Sequence, residues 1–218
     1  MRRVLCSLVF AALTPIAAAA QQPAAPAGAP QGPPPGQQPQ TPLPPNGWRL
    51  DAGHSAVSFR VRHLGISWVN GEFKQWSMDL IYDPANPAAA SVAAHIQTAS
   101  ANTSNDRRDN DIRSGSYLAV DSFPEMTFVS RSVQVVDPTH LRITGDLTLR
   151  GVTKPVILDT EITGSLNGAR SKRVAFTATT TINRHDFGVN MTRLMEGAQV
   201  VGDEIRITID VEAVQPAG

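Results

Sequence analysis

From Trp48 onward the chain carries eight runs in which apolar and polar residues alternate. A period of two sets one side of a strand against a dry interior and the other against water. In the sharpest run, Ile205, Ile207, Ile209, Val211 and Ala213 share one face while Glu204, Arg206, Thr208, Asp210 and Glu212 share the other, without a slip. Leu141, Ile143, Gly145, Leu147 and Leu149 oppose Arg142, Thr144, Asp146, Thr148 and Arg150 in the same way. Val174, Phe176, Ala178, Thr180 and Ile182 form a third such face. Val57, Phe59, Val61 and His63 oppose Ser58, Arg60 and Arg62, which sets a histidine on an apolar face. Looser runs follow Gly71 (Trp76, Met78, Leu80, Tyr82), Ser91 (Val92, Ala94, Ile96), Glu125 (Phe128, Val133, Val135) and Lys154 (Val156, Leu158, Ile162). The chain is therefore expected to be all-β. Strands with one dry face each either close on a shared interior or stack as two sheets, and closure would create a candidate lipid pocket.

Turn-forming clusters punctuate the runs at Asp83-Pro84 to Asn86-Pro87, Asp137-Pro138-Thr139, Arg150-Gly151 and Gly164 to Gly168. The stretch from Asn102 to Val120 breaks the strand pattern. It opens with Thr103, Ser104, Asn105 and Asp106, each able to cap a helix, and sets Asp109 four residues before Arg113 as a helical ion pair. One short helix is expected here, between the third and fourth strands, where it would cover an end of a barrel.

Residues 1–20 read as a signal peptide: Arg2 and Arg3 give a positive start, Val4 to Leu13 a short apolar stretch, and Ala18-Ala19-Ala20 a small-residue exit. The single cysteine, Cys6, lies inside that segment, so a processed chain has no thiol for disulfides, thiolate metal sites or nucleophilic catalysis. Residues 21–47 carry no charge and ten of the seventeen prolines, the composition of a disordered, polyproline-like linker. Both a tether and a solvated tail fit that composition. Residues 48–218 have the size of one domain. Formal charge balances at 19 basic and 19 acidic residues, with no basic block, so nucleic acid is not an expected partner.

Dinucleotide, phosphate-loop, zinc-protease and nucleophile-elbow motifs are absent, and no catalytic residue, cofactor or metal ligand is assigned. The rival reading is a metal-binding or enzymatic barrel using His54, His63 and His185. Against it, His54 and His63 differ by an odd number of positions, which puts them on opposite faces of a regular strand. Arg107, Arg108 and Arg113 either grip an anionic headgroup or pair with Asp106, Asp109 and Asp111 on a surface helix. The aromatic set Phe59, Trp68, Phe73, Trp76, Phe123, Phe128, Phe176 and Phe187 either lines a cavity or fills a core.

Three blocks resemble the YceI-like, polyisoprenoid-binding family. Asp51-Ala52-Gly53-His54-Ser55, Val57 to Gly65 and Gly71-Glu72-Phe73 are similar to its opening; Arg108-Asp109, Ile112-Arg113-Ser114, Phe123-Pro124 and Thr127-Phe128 to its helix and return strand; Gly145 to Val156 to its most specific block. Ser116-Tyr117-Leu118 departs from the acidic residue and paired phenylalanines often found there. The resemblance implies a lipocalin-like antiparallel eight-stranded barrel, exported to the periplasm, that carries or sequesters a long isoprenoid or other lipid and is not an enzyme. On that reading Phe59, Val61, His63, Trp68, Phe73, Trp76, Met78, Phe128, Phe176 and Phe187 line the channel, and Arg108 and Arg113 meet the headgroup. The expected partner is a hydrophobic small molecule; transient membrane contact and a homodimer stay open.

Overall fold

A computed structural model describes residues 42–191, 194–195 and 198–216, so the expected signal peptide and the expected linker as far as residue 41 lie outside the described residues. The strands are β1 (Gly47–Leu50), β2 (Ala56–His63), β3 (Ser67–Phe73), β4 (Trp76–Ile81), β5 (Ser91–Gln97), β6 (Ala101–Asn102), β7 (Glu125–Asp137), β8 (His140–Leu149), β9 (Val152–Asn167), β10 (Ser171–Asn183), β11 (Leu194–Met195), β12 (Ala198–Gln199) and β13 (Val201–Pro216). The helix α1 spans Asp106–Arg113, between β5 and β7, the third and fourth alternating runs.

The series β4-β5-β7-β8-β9-β10-β13 is closed by β1, which pairs with both β4 and β13, giving a ring of eight antiparallel strands. β1 and β2 form one path along β13, bent at the 3-10 turn Ala52–His54: Leu50 pairs with Ala213 and Ala56 with Asp210. β3 and β4 bend together with them, so β4 stays in the ring while β3 follows β2 outward. The second edge of β3 meets only the two-residue β6, at Glu72 and Phe73. The wall is therefore incomplete beside the β2–β3 hairpin.

Register explains why the interior stays dry. Ile205, Ile207 and Ile209 stand opposite Val61, Phe59 and Val57, so both strands turn their apolar faces the same way. The β8–β9 turn, Arg150 (φ 52°) and Gly151 (φ 72°), and the β2–β3 turn, Leu64 (φ 53°) and Gly65 (φ 74°), have positive φ at both central residues, the twist that tight hairpins need. At one end the barrel is plugged. Trp48 donates from Nε1 to the Tyr82 carbonyl at 2.8 Å, and the Tyr82 ring meets Phe176 edge-on at 5.1 Å among Val174, Val211 and Ala213.

The helix is capped by Asn105, whose Oδ1 accepts from the Arg108 amide at 3.0 Å. The expected Asp109–Arg113 ion pair does not form. Asp109, 2% exposed, accepts from the amide and hydroxyl of Thr103 at 2.8 and 2.5 Å, while Arg113 donates to the carbonyls of Ala99 (2.8 Å) and Ala101 (2.7 Å). Those carbonyls belong to a turn and to the two-residue strand at the end of the sheet, where an arginine fork satisfies two backbone acceptors at once. Among the described residues no helix is long and apolar enough to cross a membrane.

Candidate functional site

Two chambers abut inside the barrel. The inner one, of about 120 Å³, is walled by β4, β5, β7 to β10 and β13, and its lining residues are apolar except for the hydroxyl-bearing Tyr82, Ser91, Thr160 and Thr180. Trp76, Met78, Phe128 and Phe176 face it, alongside Ala94 and Ala178. The outer chamber, of about 690 Å³, lies between the β2–β3 hairpin, α1 with the loop after it, and the start of β13. Phe59, Val61, His63 and Phe73 line it. Val57, Met126 and Ile207 face both chambers, so an apolar path leads from the rim to the dry interior.

Glycine sets the chamber width at two places. A Cβ at Gly145 would stand 2.4 Å from Phe128 Cζ and 2.6 Å from the Val129 carbonyl, so only glycine lets that ring lie flat on β8. Gly71 does the same for Phe59.

Two of the expected lining residues face elsewhere. Trp68 shares its side of β3 with Asn70 and Glu72, pairs with Arg62, and lies under the guanidinium groups of Arg60, Arg62 and Arg206 outside the barrel. Phe187, 2% exposed, sits on the 3-10 turn Arg184–Phe187 after β10. The β9–β10 ladder stops at Thr179–Asp159, and Phe187 packs where the two strands part, beside Val156 and Ile182. It is core rather than channel.

The headgroup pair divides as well. Arg108 borders the outer chamber, but Nε and Nη2 are committed to the hydroxyl (2.7 Å) and carbonyl (2.8 Å) of Thr103. Arg113 is not on the chamber wall and serves the backbone. Among the described residues the exposed cations on the rim without an ion-pair partner are Arg107 on the helix and Arg62, which is stacked on Trp68.

Sequence reasoning missed Arg184, which is 3% exposed. It donates to the carbonyls of Gly202 (3.0 Å), Val189 (2.7 Å) and Met191 (2.9 Å) and to Asp203 Oδ1 (2.9 Å), clasping the segment that carries Val189, Met191, Val200 and Val201 onto the outer chamber. His185 Nε2 reaches the same Asp203 oxygen at 2.8 Å. The His185 hydrogen bond, followed by the Arg184 charge, holds the Asp203 carboxyl below its ordinary value of 3.8. One signal was available: Arg184 continues the inward parity of Val174 to Ile182.

The three histidines do not converge. His54 lies on the 3-10 turn beside Glu212, whereas His185 contacts Asp203, nine strand positions away, or roughly 30 Å at the usual rise. His63 faces the outer chamber. His54, Asp51 and Glu212 do present ligand atoms within 4.8 Å of one another, but Arg173 donates to Asp51 Oδ2 (3.0 Å) and to Glu212 Oε1 at the same place. Hydrogen bonds from Arg173 and then His54 hold the Asp51 carboxyl below its ordinary 3.8, so the carboxylate charge is already answered by the Arg173 guanidinium.

A closed eight-stranded antiparallel barrel with a dry inner chamber opening to a polar rim defines a lipocalin-like ligand-binding class of architecture. The YceI-like domain model matches residues 48–213, and the chain belongs to the YceI-like family. It is 40% identical over 163 residues to Protein YceI of Shigella flexneri, covering 74% of this chain and 82% of that protein. A Campylobacter jejuni YCEI protein crystal structure superposes with a TM-score of 0.62 at 33% identity, covering 76% and 96% of the two chains. A polyisoprenoid binding domain from Saccharophagus degradans shares the fold at 15% identity, with a TM-score of 0.53 and coverage of 76% and 97%.

Proposed function

We propose that the protein is an exported carrier or sequestering protein for a long-chain isoprenoid or similar lipid, with the tail in the inner chamber and the polar end at the rim. The observation that carries this is the gradient between the chambers: carbon-lined walls within, and His63, Asn105, Arg107 and Asp111 at the outer chamber. Each buried methylene contributes roughly 0.8 kcal/mol before the costs of immobilising ligand are subtracted, so a tail spanning both chambers would drive binding. The positive start, apolar stretch and small-residue exit of residues 1–20 support export, and the periplasm is the compartment we assign. A binding role rather than catalysis fits, since among the described residues the titratable side chains lining the outer chamber include no assembled acid–base pair. The test is organic extraction of protein purified from its exported fraction, followed by mass spectrometry. A stoichiometric long-chain lipid is expected. Lipid-free protein that also fails to bind prenyl alcohols in solution would overturn the reading.

A further inference from the structure

The outer face of the β2–β3 hairpin carries an arrangement that neither the barrel nor the chambers require. Arg60 and Arg206 stand directly opposite each other across β2–β13, where like charges repel. Arg62 joins them on the same side. All three guanidinium carbons lie over the Trp68 ring, 4.8, 4.1 and 4.9 Å from its centre for Arg60, Arg62 and Arg206. Among the described residues none of the three is ion-paired with a carboxylate. Of the acids on that side, Asp210 accepts from Thr177 at 2.7 Å, Glu72 is held by Lys74 at 2.5 Å and Glu212 by Arg173, which leaves Glu204 on the bulge of β13. The indole face attracts the cations but does not neutralise them.

The tip of the same hairpin is apolar. Leu64 and Gly65 make the turn, and Ile66 beyond it is 80% exposed, more than any other large hydrophobic residue among those described. The inner face of the hairpin, through His63, Ser67 and Val69, borders the outer chamber. Basic patch, indole, apolar tip and chamber rim are thus consecutive along one two-stranded element.

We infer that this hairpin is a docking surface for an anionic phospholipid membrane, seating Ile66 among the headgroups and bringing the rim of the outer chamber to the bilayer. Tryptophan and arginine at the level of the headgroups and an aliphatic residue just below them are the composition that interfacial segments use. A soluble phosphate would answer the three arginines but gives no reason for an exposed isoleucine beside them. The inference deepens the lipid-carrier reading, since it supplies the route by which a membrane lipid reaches the chamber.

The test is flotation of the full processed chain with vesicles of phosphatidylglycerol mixed with phosphatidylcholine, against phosphatidylcholine alone. Binding is expected only to the anionic vesicles and is expected to weaken as salt is raised. Replacing Arg60, Arg62 and Arg206 together by Gln should weaken it on the order of a hundredfold, and Ile66→Ser by several-fold, with inorganic phosphate binding unchanged in the Ile66 variant. Equal flotation with neutral vesicles, salt-independent flotation of the parent, or full flotation of the triple variant would overturn the inference; so would phosphate binding without any flotation. The salt series on the parent keeps the test decisive if the triple variant fails to fold. Prenyl alcohol affinity in solution, measured on the parent and the Ile66 variant, whose side chain lies outside both chambers, separates the two readings: it should not change when docking is weakened, and its absence in the parent would count against the carrier alone.

Discussion

Gly71 lies directly opposite Phe59 across β2–β3, and the Phe59 ring occupies the space a side chain at 71 would need, with Cζ 2.4 Å and Thr103 Cγ2 2.8 Å from a Cβ placed there. The ring is thereby held against the wall, in contact with Phe73 at 5.4 Å between centres, and the outer chamber stays open. Gly71→Ala should push the ring into the chamber. We expect prenyl-ligand affinity to fall several-fold and stability by about 1–3 kcal/mol, read by ligand titration beside a denaturant midpoint. Unchanged affinity with lowered stability would mean that Phe59 does not bound the bound lipid.

Arg107 and Arg113 should behave oppositely. Arg107 is exposed on the rim, so Arg107→Gln should weaken a pyrophosphate-bearing prenyl ligand by several-fold more than the neutral alcohol. Arg113 supports the Ala99 and Ala101 carbonyls, so Arg113→Gln should cost about 1–3 kcal/mol of stability and affect both ligands alike. Headgroup selectivity that follows Arg113 instead would contradict the assignment.

These outcomes also show where the sequence was readable. The eight runs after Trp48 coincide with β2, β4, β5, β7, β8, β9, β10 and β13, because a strand with one face turned inward carries a period of two, which in β7 changes parity between Phe128 and Val133 at the bulge of Ser130 to Ser132. β1 and β6 were not legible: four and two residues are too short to show a period, yet β1 is the strand that closes the ring. Trp68 shows residue type misleading where parity would have served. It alternates with Val69, Gly71 and Phe73 and shares its side with Asn70 and Glu72, so its outward face was written in the sequence. Arg113 left no comparable trace, since its acceptors are backbone carbonyls that no side-chain pattern reveals.

Ala94 tests whether the inner chamber is used. It pairs with Met78 on one side and Phe128 on the other, and its methyl faces the space of about 120 Å³. Ala94→Phe should fill that space with carbon. A packed interior tolerates added apolar volume where a void exists, so the thermal midpoint is expected to hold while affinity for long-chain prenyl alcohols falls at least about tenfold. Retained affinity would confine the ligand to the outer chamber.

Asp203 makes the rim sensitive to acid. Its carboxylate answers Arg184, whose 3% exposure leaves that guanidinium dependent on protein partners, and the clasp they form holds Val200 and Val201 against the chamber. The His185 hydrogen bond is the largest cause of its lowered pKa. A carboxyl whose folded pKa is depressed contributes its full stabilisation above the unfolded value and loses it as pH falls through the folded value. The contribution should therefore be complete above pH 3.8 and decline below it. Asp203→Asn removes the charge at every pH while keeping a similar shape. The variant should melt below the parent at neutral pH, and the gap should begin to narrow under pH 3.8 and close once the pH has fallen through the lower, folded value, where the parent's carboxylate is protonated too. Thermal midpoints of both proteins across that range decide the matter. A gap that stays constant through the acid limb would mean that Asp203 acts through its shape alone and that Arg184 is held by the carbonyls of Val189, Met191 and Gly202.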